Sequence, residues 1–227
     1  MVLFFTILSI LTAIVSFILG LLVLLRNPIR NQNFTFFVFT WFITIWSMLS
    51  YAFFVNQSNF ALYKVVYATG GVCLLTTAPW VLYYLKEKPN SFLVGLFYAM
   101  AAFLFSVPFW DQTAITNFVN HGNRTYTFNV GISYDIYTSA VFLTVIFLFY
   151  ELIRHLIKAK SSRRYQILFI LVGLFIYFSA ELLFGVILPI LNITPSAPLD
   201  DLGAISFVCF SAYTFLRIEK ETPQTSF

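Results

Sequence analysis

The stretch RHLIKAKSSRR, residues 154–164, decides the fold class of this chain. It carries five basic residues between two long apolar runs: Arg154, Lys158, Lys160, Arg163 and Arg164. Lys and Arg are concentrated in the cytosolic loops that flank membrane-spanning segments. The stretch therefore predicts a membrane protein that crosses the bilayer several times and keeps this loop in the cytosol.

The composition agrees with a membrane protein. Hydrophobic residues make up 60% of the 227 residues and aromatic residues 20%, whereas charged residues make up only 10%. A soluble domain with this composition could not cover its surface with polar groups. We therefore expect lipid to be the main partner, with anionic lipid at residues 154–164, and we do not expect nucleic-acid binding.

Seven apolar runs are near the length of about 20 residues that a spanning helix needs. They are apolar on every face, unlike the alternating strands of a membrane barrel. The sequence therefore predicts an all-α bundle of seven transmembrane helices over residues 1–217, followed by a short cytosolic tail over residues 218–227. The runs are residues 2–25, 34–55, 60–85, 92–110, 136–157, 165–191 and 199–216.

The distribution of basic residues predicts the orientation in the plasma membrane. Of the thirteen Lys and Arg residues, only Lys64 and Arg124 fall on the side opposite to residues 154–164. By the positive-inside rule, the N-terminus is expected outside and the C-terminus in the cytosol.

The longest connection, residues 111–135 on the predicted outer face, has the pattern of a β-hairpin. Thr, Tyr, Phe and Val residues flank the turn cluster Asn-His-Gly-Asn at residues 120–123. An ordered hairpin would form a lid over the bundle, and the alternative is a flexible connector. The aromatic residues that we expect to face an outer ligand are Trp110, Tyr126 and Tyr134.

Two ionisable residues inside the apolar runs are candidates for function. Glu181 precedes the end of its run at residue 191 by ten residues, about 15 Å along a helix. A carboxylate at that depth is costly unless it is paired or protonated, so we expect Glu181 to face the bundle interior with Tyr177 on the same face. Lys64 either extends to the outer interface or forms an ion pair with Glu181.

No catalytic or metal-binding pattern is present in the sequence. The last run has no lysine that could hold retinal, and the two histidines, His121 and His155, lie outside the membrane core. We therefore expect neither a cofactor nor a metal, and no enzymatic activity.

The order of features resembles the N-terminal seven-transmembrane region of bacterial histidine kinases. The resemblance rests on the RNPIR loop at residues 26–30, the segment GISYDIY at 131–137, the RRYQ segment at 163–166 and the last run ending in YTFLR at 213–217. It implies a membrane sensor whose last helix passes a signal to cytosolic output domains.

Ten residues follow Arg217 in this sequence, so we expect neither a phospho-acceptor domain nor an ATP-binding domain in this chain. The chain is therefore expected to be either a stand-alone sensory module that signals to a separate partner or a relic of a longer gene. Two other functions stay open at this point. One is a small transporter or channel that uses Glu181 and Lys64, and the other is an assembly subunit.

Overall fold

The computed structural model describes residues 2–56, 58–86, 88–110, 115–122, 125–187 and 200–218. Within these ranges seven α-helices follow one another, and the prediction of a seven-helix bundle is confirmed. The helices are α1 (Val2–Arg26), α2 (Asn31–Val55), α3 (Phe60–Leu85), α4 (Ser91–Ser106), α5 (Ile132–Lys158), α6 (Ser161–Glu181) and α7 (Asp200–Ile218).

Six candidate membrane spans lie within the described ranges, by length and hydropathy. They correspond to α1 through α6. The remaining helix, α7, has 19 residues and begins with the acidic pair Asp200 and Asp201. Among the other six α-helices, only α5 has an acidic residue in its first turn, Asp135.

Short polar connections set the helix boundaries. The side chain of Asn59 accepts a hydrogen bond from the backbone N–H of Leu62 at 3.0 Å and caps the start of α3. Asn90 caps α4 in the same way, accepting from Phe92 N at 2.9 Å. Such short turns make consecutive helices antiparallel neighbours.

The helices form a ring in which α7 closes the gap between α6 and α1. The sequence of packed neighbours is α1, α2, α3, α5, α6, α7 and again α1, while α4 packs on α3. The helix α3 is the most enclosed, with 78% of its most apolar window buried, against 28% to 44% for the other candidate spans. The core therefore lies around α3.

Two ends of the bundle can be distinguished. We call the end where α1 finishes at Arg26 and α6 begins at Ser161 the basic end. The opposite end carries a hairpin of two antiparallel strands, β1 (Ile115–Gly122) and β2 (Thr125–Val130), and we call it the hairpin end. The strand register shifts at two places. Residues 111–114 and 123–124 lie outside the described part, as does the side chain of Tyr126.

The sixth predicted run does not continue as an α-helix. After Glu181 the backbone widens into a π-helix, Leu182–Ile187. Residues 188–191, where the run was expected to end, are outside the described ranges. The depth expected for Glu181 assumed α-helical rise throughout, and the α-helix instead ends at that residue.

An aromatic core joins α7 to α2 and α3. The ring of Phe215 lies 4.9 Å from that of Phe36, and the ring of Phe207 lies 5.4 Å from that of Phe39, centroid to centroid. Trp80, fully buried on α3, contacts both α7 rings at 5.9 and 6.3 Å. Aromatic pairs at these separations add stabilisation beyond the apolar area that they bury.

Candidate functional site

Three carboxyl groups come together where α6 ends and α7 begins, at the hairpin end. Glu181 is the last residue of α6, and Asp200 and Asp201 are the first residues of α7. The charges that act on Glu181 are those of Asp200 and Asp201. We call these three residues the acidic cluster.

A glycine allows the two helices of the acidic cluster to touch. A Cβ atom added at Gly203 of α7 would lie 2.7 Å from the Cβ of Ala180 and 3.0 Å from the Cα of Tyr177, both on α6. Contacts this short are not tolerated between real side chains and backbone. The absence of a side chain at Gly203 therefore allows the start of α7 to pack closely against the end of α6.

Asp201 is bound by two hydroxyl groups from two other helices. Ser9 of α1 donates to Oδ2 at 2.5 Å, and Ser47 of α2 donates to Oδ1 at 2.6 Å. The Asp201 side chain is fully buried. Both carboxylate oxygens thus have a donor, which is the arrangement that suits an ionised carboxylate in a buried position.

Glu181 has a different environment. Its Oε1 atom is enclosed and has no hydrogen-bond partner in the described part of the chain. The same is true of the hydroxyl of Tyr177, whose side chain is 0% exposed. Tyr177 lies one helical turn before Glu181 on α6. It interacts electrostatically with both Glu181 and Asp200. The Oε1 atom of Glu181 is therefore buried on the same helix as Tyr177, one turn away.

Two further side chains, on neighbouring helices, lie within electrostatic range of Glu181. Cys73 of α3 and Tyr137 of α5 both interact electrostatically with the Glu181 carboxyl. Tyr137 donates to the backbone oxygen of Tyr67 at 2.6 Å, and its hydroxyl occupies the place that a Cβ at Gly71 would need. Side chains of α1, α2, α3, α5 and α6 thus lie around the acidic cluster.

The other candidate residues lie apart from this cluster or at its edge. Tyr134 stacks on Tyr67 at 5.4 Å, so it extends the tyrosine stack of which Tyr137 is part. Trp110 is 42% exposed and packs edge to face on Phe103 at 5.4 Å.

Lys64 lies near the start of α3. Its Nζ atom stands 4.9 Å from the ring centroid of Phe60, a cation–π contact within one turn of the same helix. The structure thus gives Lys64 an aromatic neighbour and gives Glu181 two acidic neighbours.

A second charged group lies at the basic end. Glu151 of α5 is buried and lies 3.1 Å from Lys86 Nζ, with Arg154 at 3.8 Å and His155 at 3.6 Å. This local cluster joins the loop after α3 to α5. The basic side chains of Lys86, Arg154 and His155 lie close enough to balance the negative charge of the Glu151 carboxylate, and all three belong to the basic end.

Two arginines connect other helices at the same end. Arg26 of α1 donates to the backbone oxygen of Phe215 on α7 at 2.9 Å. Arg163 of α6 donates to the backbone oxygen of Tyr84 on α3, and its guanidinium lies 4.1 Å from the centre of the Tyr84 ring. Arg163, one of the five basic residues of the 154–164 stretch, is thus part of the packed bundle. Together with the bonds to Asp201, the bond from Arg26 attaches α7 at both of its ends.

Sequence reasoning named Glu181 as a candidate but did not name the other residues of this candidate site: Ser9, Ser47, Asp200 and Asp201. The available signal was the Asp-Asp pair at the start of the last apolar run, together with Ser9, Thr12 and Ser16 at helical spacing in the first. Hydroxyl side chains are compatible with an apolar helix, so their spacing does not show which helix they face.

The chemistry of the acidic cluster is that of oxygen groups that bind hydrogen or positive charge. In the described ranges, no group of three or more His, Cys, Asp or Glu residues is arranged to hold a metal ion. The described neighbours of the cluster are hydroxyl, thiol and phenol groups, which can donate hydrogen bonds to a carboxylate.

No curated protein and no solved structure matches the chain. A family model described as the N-terminal 7TM region of histidine kinase matches residues 8–219, which includes α2 to α7 and most of α1. The chain therefore belongs to the family of N-terminal seven-transmembrane regions of histidine kinases, a multi-pass membrane region of sensor proteins in the plasma membrane.

Proposed function

We propose that this chain is a non-enzymatic sensory module that passes a signal through α7 to a separate partner protein. The observation that supports this proposal is the attachment of α7. Its first turn is bound by Ser9 and Ser47, and its last turn is bound by Arg26. A helix held at both ends by other helices can shift as a rigid rod when either set of bonds changes.

The family favours sensing over the transporter or channel alternative, because the matched region is the sensory part of kinases. In such a module the useful motion is that of the helix nearest the C-terminus. The end of α7 at Ile218 is the last described point of the chain and is where a partner or output domain would receive the motion.

We further propose that the hairpin end faces outwards and the basic end faces the cytosol. The positive-inside rule supports this orientation, since residues 154–164 and most other basic residues lie at the basic end. In this orientation Arg164, Lys158 and Lys160 would contact anionic lipid headgroups. The region 1–217 would then be the membrane module and 218–227 its cytosolic tail.

The outer hairpin would act as a lid over the acidic cluster and the tyrosine stack. The support is its position between α4 and α5 and the pairing of β1 with β2. A ligand that reached the mouth of the bundle would meet Trp110 and Tyr134, and Tyr126 belongs to the lid strand β2.

A fusion protein tests the output role of α7. We would join a cytosolic histidine-kinase core in helical register after Ile218, reconstitute it in nanodiscs and measure autophosphorylation. Ser47→Ala removes one bond to the buried Asp201, worth about 1.5–3 kcal/mol for a charged acceptor. If that bond differs between two α7 positions, kinase activity should change by about tenfold or more.

The matched control is Ser206→Ala on α7 itself, because Ser206 donates only to Leu202 of its own helix at 2.7 Å. Its activity should equal that of the unmodified fusion. Equal activity of the Ser47→Ala and unmodified fusions, with both correctly folded, would refute the output role of α7.

A further inference from the structure

The acidic cluster is a buried group of carboxyls for which the described part of the chain shows no positively charged partner. The two charged residues that act on Glu181 are both acidic. The intervening residues 188–199, LPILNITPSAPL, contain no Lys, Arg or His. Like charges enclosed in a medium of low dielectric repel strongly, so three ionised carboxyls at this place are unfavourable.

The hydrogen bonds assign different states to the carboxyls. Asp201 has a hydroxyl donor on each oxygen, which suits the ionised form. Glu181 Oε1 has no hydrogen-bond donor in the described structure, so no hydrogen bond stabilises negative charge on that atom. A protonated Glu181 would be neutral and would remove the like-charge repulsion with Asp200 and Asp201.

The titratable groups that interact electrostatically with Glu181 are consistent with a proton as the bound species. They are Asp200 and Asp201 on α7, Tyr177 on α6, Tyr137 on α5 and Cys73 on α3. None of them carries positive charge. The described residues also hold no metal-binding group of the usual kind.

The hydroxyl of Tyr177 is a second, independent feature that indicates a bound hydrogen. It is fully buried, it interacts with Glu181 and Asp200, and it has no partner in the described structure. A phenol can both donate to a carboxylate and accept from a carboxylic acid, so it can serve either state of Glu181.

We propose that Glu181 and Asp200 form a proton-binding site that Tyr177 supports, and that uptake or release of this proton is the stimulus that moves α7 relative to α1. The proton binds to a carboxylate oxygen and leaves to water, so no other reactant is needed. This inference rests on the proposed sensory function, since it names the stimulus. It follows that the protein responds to the pH on the hairpin side.

Two measurements on the full chain in nanodiscs test the proton site. The first is the infrared carbonyl band of a protonated carboxyl, recorded as a difference between acidic and alkaline pH. This band should be lost in Glu181→Gln and shifted in Tyr177→Phe, which removes only the hydroxyl. It should be unchanged in Asp135→Asn, which alters an exposed carboxyl at the same end.

The second measurement is the distance between spin labels on α1 and α7. Cys209 is exposed on α7 whereas Cys73 is buried, so Cys209 can be labelled with a second cysteine at Ile14, which is 51% exposed on α1. In the otherwise natural chain the distance should shift with pH. Glu181→Gln imitates the neutral acid and should keep the low-pH distance at all pH values.

The outcomes separate the two proposals. An unchanged infrared band in both Glu181→Gln and Asp200→Asn overturns the proton site, and so does a distance that responds to added Na⁺ or Ca²⁺ but not to pH. If the band and the distance behave as expected while the kinase fusion ignores Ser47→Ala, the proton site stands and the output role of α7 fails. Asp200→Asn gives the same information if Glu181→Gln does not fold.

Discussion

At the scale of single residues, the bonds from Ser9 and Ser47 to Asp201 attach the start of α7 to α1 and α2. Each hydroxyl satisfies one oxygen of a fully buried carboxylate. Removing one donor leaves that oxygen unpaired in the interior, where replacement by water is hindered.

We therefore expect Ser9→Ala to lower the free energy of unfolding by about 1–3 kcal/mol. The measurement is thermal or denaturant unfolding in a mild detergent. Ser206→Ala, which loses only a bond within its own helix, should stay within about 0.5 kcal/mol of the natural chain. Equal stability of the two variants would show that the Ser9 hydroxyl does not stabilise Asp201.

Residue types predicted only part of this site. An ionisable residue within an apolar run stands out by its cost, and for that reason Glu181 was found. Asp200 and Asp201 fall at the edge of a run, where acidic residues commonly begin helices. Ser9 and Ser47 are far apart in sequence, and only the packing of α1 and α2 against α7 brings them to one carboxylate.

At the scale of helices, the contact of α6 with α7 depends on a missing side chain. Gly203 faces Ala180 and Tyr177 at distances that leave no room for a methyl group. By contrast, Gly95 of α4 has nothing within 4 Å of a Cβ added there. A methyl group added at Gly203 would therefore clash with α6, whereas one added at Gly95 would meet no neighbour.

Gly203→Ala should destabilise the protein by about 1–3 kcal/mol, because the added methyl group separates two packed helices. Gly95→Ala should be neutral or stabilising by up to about 1 kcal/mol, because alanine favours the helix and meets no neighbour. Melting temperatures measured side by side would decide. A Gly203→Ala variant as stable as Gly95→Ala would contradict the close packing of α6 on α7.

Hydropathy predicted the number of helices well because length and apolar content are local properties of the chain. It did not predict the π-helix after Glu181, since Leu182–Ile187 is as apolar as the helix before it. Such π-helical turns are rare in proteins, and many of those that do occur lie at functional sites.

At the scale of the whole molecule, the orientation is a prediction that one labelling experiment can test. A cysteine introduced at Ser161 should be protected from an impermeant reagent on intact cells, and one at His121 should react. Replacing the five basic residues of the 154–164 stretch by Gln should then produce mixed insertion of the later helices. Labelling of the cysteine at residue 161 on intact cells would show that the orientation is the opposite of the predicted one.

The enclosure of α3 has a consequence for how the protein is made. This helix is the least hydropathic of the six candidate spans, yet it is the most buried in the finished bundle. When it leaves the ribosome, its later neighbours α5 and α6 do not yet exist, and lipid must surround faces that will end up against protein. During synthesis, α3 therefore has only α2 as a packed neighbour until α4 and α5 are inserted.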